Sequence, residues 1–189
     1  MTKQKAAARL NVDPSKTYLL FFGLIRDYKG LDLLMQAFAD KRLDKENVRL
    51  VVAGEFYGNE DKYNALLSEL GIQSDTLWHT HFIPDEEVST YFSLADLIVQ
   101  PYKSATQSGV TQIAYHFSKP MLVTNVGGLP EIVPDGKVGY VTEVSATAIA
   151  DALLDFTTNP SPTRFADGLA EEKAKYGWDK MTHAILENN

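Results

Sequence analysis

The sequence predicts a doubly wound α/β domain: a mainly parallel sheet of about six strands with helices on both faces. Two observations predict it. Short apolar runs alternate along the chain with stretches whose apolar residues recur every three or four positions, the spacings of buried strands and of amphipathic helices. A helix falls between almost every pair of strand-like runs, and such crossovers join parallel strands.

In order, Thr2 to Leu10 reads as a short alanine-rich polar helix, followed by a turn at Asp13 and Pro14. Tyr18 to Phe22 is the first strand and stops at Gly23. Leu31, Leu34, Met35 and Phe38 form a helical stripe, and Val48 to Ala53 is a second strand closed by Gly54. Tyr63, Leu66, Leu67 and Leu70 repeat the helical spacing, and Thr76 to Ile83 is expected as the third strand. Pro84 opens a helix whose Asp85, Glu86 and Glu87 suit its positive end, with Val88, Tyr91, Phe92 and Ala95 as its buried stripe. Leu97 to Val99, Met121 to Thr124 and Gly139 to Val141 supply the remaining strands. The helical stripes between and after them are Val110, Ile113, Ala114 and Phe117, then Ile149, Ala152, Leu153 and Phe156. Trp178, Met181 and Ile185 predict a C-terminal helix.

Composition narrows the class. The 189 residues are 44% hydrophobic and 23% charged, ordinary for a globular domain. Eighteen basic residues against 25 acidic leave a formal charge of −7, which argues against nucleic acid or an anionic membrane as a general partner. There is no cysteine, so disulfides and thiolate metal sites are excluded. Neither a signal peptide nor a membrane-spanning run is present, which is compatible with the cytoplasm and allows peripheral membrane association.

In an open parallel sheet, ligands sit beyond the carboxyl ends of the strands, so the loops that follow strands carry the chemistry. The loop from Gly23 to Gly30 joins a strand to a helix and holds Arg26 and Lys29. Glycine allows close backbone approach, the helix start offers free N–H groups, and the two cations supply full charges, a combination suited to a diphosphate. Two solvated cations in a surface loop would give the same sequence. In the loop from Tyr102 to Gly109, the amides of Ser108, Gly109 and Val110 stand at a helix start, and Thr106, Gln107 and Ser108 add side-chain donors. Ser108 reads equally as an ordinary helix cap. A third loop, Asn125 to Glu131, is rich in glycine; its Glu131 either faces a ligand or caps the turn that Pro130 starts. His79 and His81 lie two apart with no third ligand beside them, so no metal is expected. His116 and His183 read as ordinary residues on helices, and Tyr57 and Tyr102 as rings that either stack on a ligand or pack.

These loops, together with FFGLIRDYKGLDLL, VRLVVAG, LADLIVQPY, GVTQIAYHFSKPMLVTNVGGLPEIV and GYVTE, resemble the C-terminal, nucleotide-sugar-binding half of the GT-B glycosyltransferases, in particular the retaining enzymes of family 4. The resemblance runs from about Ala6 to the C-terminus. It implies a Rossmann-like fold, one half of a GT-B enzyme, that binds a nucleotide-sugar such as a UDP- or GDP-hexose without a metal or other cofactor. It implies that Gly23, Arg26, Lys29 and residues Thr106 to Val110 hold the diphosphate, with Arg26 and Lys29 as the catalytic cations that stabilise the leaving group. It places the base and ribose near His81, Phe82, Ile83 and Gln112. Two departures stand out. Family members commonly have arginine directly after the first glycine, where this chain has Leu24, with Arg26 two residues on. They also commonly carry two glutamates eight positions apart around the helix start, whereas residues 105–114 contain no carboxylate, leaving sugar and ribose contacts to Thr106, Gln107 or Gln112.

The resemblance also implies a division of the chain. Residues 1–14 are expected as a linker with a short helix, and residues 15–189 as one donor-binding domain whose N-terminal acceptor domain is absent. Such a half binds its donor and does not turn over alone. The expected function is hexosyl transfer to a glycan or lipid-linked acceptor, in polysaccharide biosynthesis. The alternatives are a GT-B nucleotide-sugar epimerase or phosphorylase half, or a non-catalytic nucleotide-sugar-binding module.

Overall fold

A computed structural model describes residues 1–161 and 163–175. The C-terminal helix expected around Trp178, Met181 and Ile185, and His183 with it, lie outside the described residues. Six strands form one sheet: β1 (Thr17–Phe22), β2 (Val48–Ala53), β3 (Thr76–His79), β4 (Leu97–Gln100), β5 (Met121–Thr124) and β6 (Gly139–Thr142). Their spatial order is β3-β2-β1-β4-β5-β6, and every pairing is parallel. This is the doubly wound, Rossmann-like order, and the chain reverses direction across the sheet between β1 and β4.

Alternation along the strands explains the two layers of helices. In β1, Leu19 and Phe21 enter one core, built with helices α2 (Leu31–Phe38), α3 (Glu60–Glu69) and α7 (Ala146–Thr158). Tyr18 and Leu20 enter the other, built with α1 (Lys3–Leu10), α4 (Asp85–Leu94), α5 (Gly109–His116), α6 (Leu129–Ile132) and α8 (Ala166–Lys175). The stripe Leu31, Leu34, Met35 and Phe38 is fully buried, as its spacing requires. The acidic trio Asp85 to Glu87 occupies the first turn of α4, where negative charge meets the positive end of the helix.

One element is as expected in extent but more deeply packed, and one boundary differs from the sequence expectation. Helix α1 forms, capped by the Thr2 hydroxyl, but it is packed rather than free: Ala6 and Ala7 are fully buried in the core, and Lys3 bonds Asp96 at 2.7 Å. Strand β3 ends at His79, short of Ile83, so His81 lies beyond the strand and Phe82 is 68% exposed. Apolar residues at 82 and 83 prolong the strand-like pattern, although only Ile83 is buried.

Gln100 is among the polar residues in the interior. It is 1% exposed, and neither its amide nitrogen nor its oxygen has a hydrogen-bond partner among the described residues. Orphaned polar atoms are expensive, whereas an apolar side chain of similar size removes them. Gln100→Leu is expected to raise unfolding free energy by about 1 kcal/mol, read by urea denaturation. A destabilised variant would mean that the amide is satisfied in solution.

Candidate functional site at the carboxyl edge of the sheet

The three loops singled out in the sequence meet at the carboxyl edge of β1, β4 and β5. Those after β1 and β4 flank the point where the chain reverses. They are tied to each other by backbone contacts: the Lys103 amide donates to the Tyr28 carbonyl at 2.7 Å, and Gly30 lies against the Pro101 carbonyl with no room for a Cβ. The third loop joins through the Gly128 amide, which donates to the Thr106 carbonyl at 3.2 Å, and through the buried Thr124 hydroxyl, which donates to the Tyr102 carbonyl.

Lys29 stands at the centre. It closes a single 3-10 turn, Asp27–Lys29, and its ammonium lies 3.4 Å from where a Cβ of Gly23 would stand. A Val110 methyl, from the start of α5, approaches the same point at 3.9 Å. The ammonium is half-buried and has no carboxylate or hydrogen-bond partner among the described residues; the centroid of the Tyr102 ring lies 5.8 Å from it. Burial, with a further push from Arg26, holds its pKa below the usual lysine range. Asp27, two residues away, does not neutralise it. That carboxylate accepts from the Tyr63 hydroxyl at 2.9 Å and from Lys62 and Asn59 at 3.3 Å, bonds that hold its pKa below the ordinary value. A desolvated cation beside a second cation and without a counter-ion is costly, and an anion would relieve it.

Arg26 is exposed, and its guanidinium lies 4.4 Å from the centroid of the Tyr57 ring. At α5, Ser108 is the helix cap: its hydroxyl accepts from the Val110 amide at 3.2 Å and contacts the Tyr102 hydroxyl at 3.2 Å. The Val110 amide is therefore engaged by the cap. The amides of Ser108 and Gly109 have no acceptor among the described residues, and space above Gly109 is open. Thr106, Gln107 and Gln112 are exposed near the same helix start.

Tyr102, in contrast, is packed. It is 3% exposed, and burial pushes its hydroxyl up to about 12. Glu131 is exposed in the first turn of α6, where its charge suits the positive end of the helix. His79 accepts or donates a hydrogen bond with the Tyr91 hydroxyl at 2.9 Å; burial lowers its pKa, and the His81 ring lies 6.2 Å away. Among the described residues, no group of three or more His, Cys, Asp or Glu side chains could hold a metal ion. His116 is exposed at the end of α5.

A cavity of about 130 Å³ is lined by Phe22, Gly23, Leu24, Gly54, Glu55, Phe82 and Ile83, and reaches the Lys29 loop through Gly23. A larger one, about 400 Å³, opens at the opposite edge of the sheet between Thr17, Lys119, Phe156, Phe165 and Leu169. There α4 and α5 present their C-terminal ends and α8 its first residue, Ala166, so the helix ends carry partial charges of both signs. Volume alone does not select the site; the smaller cavity is the one that shares Gly23 with the loop carrying Lys29.

The fold and this edge define a Rossmann-like domain with a cationic crevice at its switch point. The chain belongs to the glycosyl transferases of group 1, whose family model matches residues 2–175. Among curated relatives, a D-inositol 3-phosphate glycosyltransferase of Streptomyces scabiei is 30% identical over 96% of this chain and 43% of its own length. A lipopolysaccharide 1,2-N-acetylglucosaminetransferase of Salmonella typhimurium is 26% identical over 95% of this chain and 49% of its own. The chain thus spans about half the length of these relatives, or somewhat less. Among solved structures, sucrose-phosphate synthase from Thermosynechococcus elongatus superposes with a TM-score of 0.83 at 20% identity, over 99% of this chain and 49% of that one. The C-terminal domain of a group 1 glycosyl transferase (LpcC) from Francisella tularensis gives 0.79 at 21% identity, over 93% of this chain and 92% of that one. Anabaena HepE, in complex with UDP and glucose, gives 0.81 at 19% identity, over 98% of this chain and 51% of that one.

Proposed function

We propose that this domain binds the diphosphate of a nucleotide-sugar and, joined to an acceptor-binding domain, transfers the sugar with retention of configuration, as in family 4. The observation that carries the reading is Lys29: a half-buried ammonium, uncompensated among the described residues, next to Arg26 and facing the start of α5. Diphosphate oxygens bound there would meet Lys29, Arg26 and the free amides of Ser108 and Gly109. The same groups would stabilise the charge that grows on the departing nucleoside diphosphate, so the chemistry needs no divalent metal. Thr106, Gln107 and Gln112 stand at the same helix start for sugar or ribose, and Phe82 and Ile83 line the adjoining cavity for a base.

A second domain fits the surface. Apart from Met1, every exposed large hydrophobic side chain among the described residues, namely Leu24, Tyr28, Tyr57, Phe82 and Val144, follows the carboxyl end of a strand. An apolar rim around a polar crevice is what a facing domain would cover. The UDP and glucose in HepE support a UDP- or GDP-hexose donor, and the lipopolysaccharide named for one curated relative supports a glycan or lipid-linked acceptor, whereas the D-inositol 3-phosphate named for the other is a small soluble one. Among the described residues no helix is long and apolar enough to cross a membrane; we place the reaction in the cytoplasm, with polysaccharide biosynthesis as its setting. The absence of a carboxylate in residues 105–114 favours one rival, a binding module without turnover.

Isothermal titration of the domain with UDP, GDP and their hexoses, with magnesium and with EDTA, tests the donor reading. Weak binding that is indifferent to magnesium is expected, because half of a two-domain cleft leaves much of the ligand exposed. No binding at millimolar nucleotide would remove the donor role, and strict metal dependence would overturn the mechanism. Sugar transfer by the protein joined to its acceptor domain would exclude the module without turnover.

A further inference from the structure

Arg26 sits in an exposed loop, where a long side chain normally samples many rotamers and pays entropy to hold any one of them. Here the backbone brings it a platform. Beyond the ends of β1 and β2 the two strands keep company: the Ile25 amide donates to the Glu55 carbonyl at 2.8 Å, and the Tyr57 amide donates to the Ile25 carbonyl at 3.0 Å. The resulting bridge pairs Ile25 with Phe56 and sets Arg26 beside Tyr57. Phe56 anchors the platform from below, its ring 5.4 Å from Tyr63 and 5.9 Å from Trp78. Tyr57 itself is 70% exposed, so burial does not account for an aromatic ring there. Its face is used by the guanidinium, 4.4 Å from the ring centroid, and Arg26 has no carboxylate partner among the described residues.

We propose that Tyr57 is a positioning residue: its ring holds the Arg26 guanidinium at the rim of the crevice, ready to close on the diphosphate that Lys29 receives. A guanidinium stacked on a ring keeps its edge N–H groups free, so the platform restrains Arg26 without using the donors a phosphate needs. It also answers the chain's departure at Leu24, by giving an arginine displaced along the loop a fixed place to work from.

The inference rests on the donor reading and is tested apart from it by a double-mutant cycle on UDP or GDP affinity, with thermal melts alongside. Arg26→Ala is expected to weaken binding about tenfold and Tyr57→Ala about two- to fivefold, with unchanged melting because both side chains are exposed. The double variant should bind no more weakly than Arg26→Ala alone, since the ring acts only through the arginine. Tyr57→Phe, which keeps the ring face, should restore affinity to within about twofold. Losses that multiply would overturn the proposal and make Tyr57 a direct contact with the ligand. Parent-like binding by Tyr57→Ala or by Arg26→Ala would also overturn it, and in that case a loss confined to Lys29 variants leaves the donor reading standing. Failure of the parent to bind any nucleoside diphosphate removes the donor reading, and this proposal with it.

Discussion

Lys29→Met binds UDP or GDP roughly ten- to a hundredfold more weakly than the parent and melts at a higher temperature. The first effect follows from deleting a charge-assisted contact worth on the order of 1.5–3 kcal/mol. The second follows from burial. The Lys29 pKa is lowered, first by burial and then by Arg26, so the folded state disfavours the ammonium relative to the unfolded chain. That cost is fully present below the lowered pKa. It is relieved as pH rises through the lowered value towards that of an ordinary lysine, because over this window the unfolded chain binds more protons. Parent stability therefore gains a rising component in the alkaline range that Lys29→Met lacks, while nucleotide binding falls over the same range as the ammonium deprotonates. Methionine keeps the apolar stem, so packing is conserved and the charge is what changes. Calorimetry and denaturant melts across pH read both effects. Parent-like affinity in this variant would remove Lys29 from the site, and the same result with Arg26→Ala would show that the loop holds no phosphate.

Much of this was readable in the chain because it is local. Leu31, Leu34, Met35 and Phe38 announce α2 by spacing alone, and the sequence Arg26 to Gly30 places a cation against a helix start before any contact is known. What escaped depends on groups far apart in sequence. The packing of α1 is fixed by Lys3 reaching Asp96, 93 positions away, while the segment itself reads as polar and linker-like. That Lys29 goes unneutralised by Asp27 depends on Tyr63, 36 positions on, which holds the carboxylate. Tyr57 carried only the generic signal of an aromatic after a strand. The bridge that aligns it with Arg26 lies outside the regular strands, where periodicity is silent. The end of β3 was misread because Phe82 prolongs the apolar run although it faces solvent; composition records that a residue is apolar, not whether anything covers it.

Gly127→Ala is expected to be the most damaging single substitution in the site loops, and Gly109→Ala the most instructive. At Gly127 the backbone has φ +52°, and a Cβ would stand 1.7 Å from the Ala105 carbonyl oxygen. The clash is with backbone, so no rotamer relieves it. The loop after β5 must pull away from the loop after β4, which also strains the bond from the Gly128 amide to the Thr106 carbonyl. Backbone strain and lost packing together are expected to cost about 2–4 kcal/mol, and the displaced Thr106 to Ser108 segment should weaken nucleotide binding in whatever fraction remains folded. Gly109 is the opposite case. A Cβ there meets nothing within 4 Å, the position is the first residue of α5, and alanine at a compatible site stabilises by about 0.4–1 kcal/mol through the unfolded chain. The open space over Gly109 lies where the unpaired amides of Ser108 and Gly109 would meet phosphate, so the added methyl should lower affinity while the fold gains stability. Melts and titrations on the two variants separate these outcomes. Gly109→Ala that is more stable and binds nucleotide as tightly as the parent would show that the start of α5 is not the phosphate seat, leaving Lys29 and Arg26 to hold the diphosphate by side chains alone.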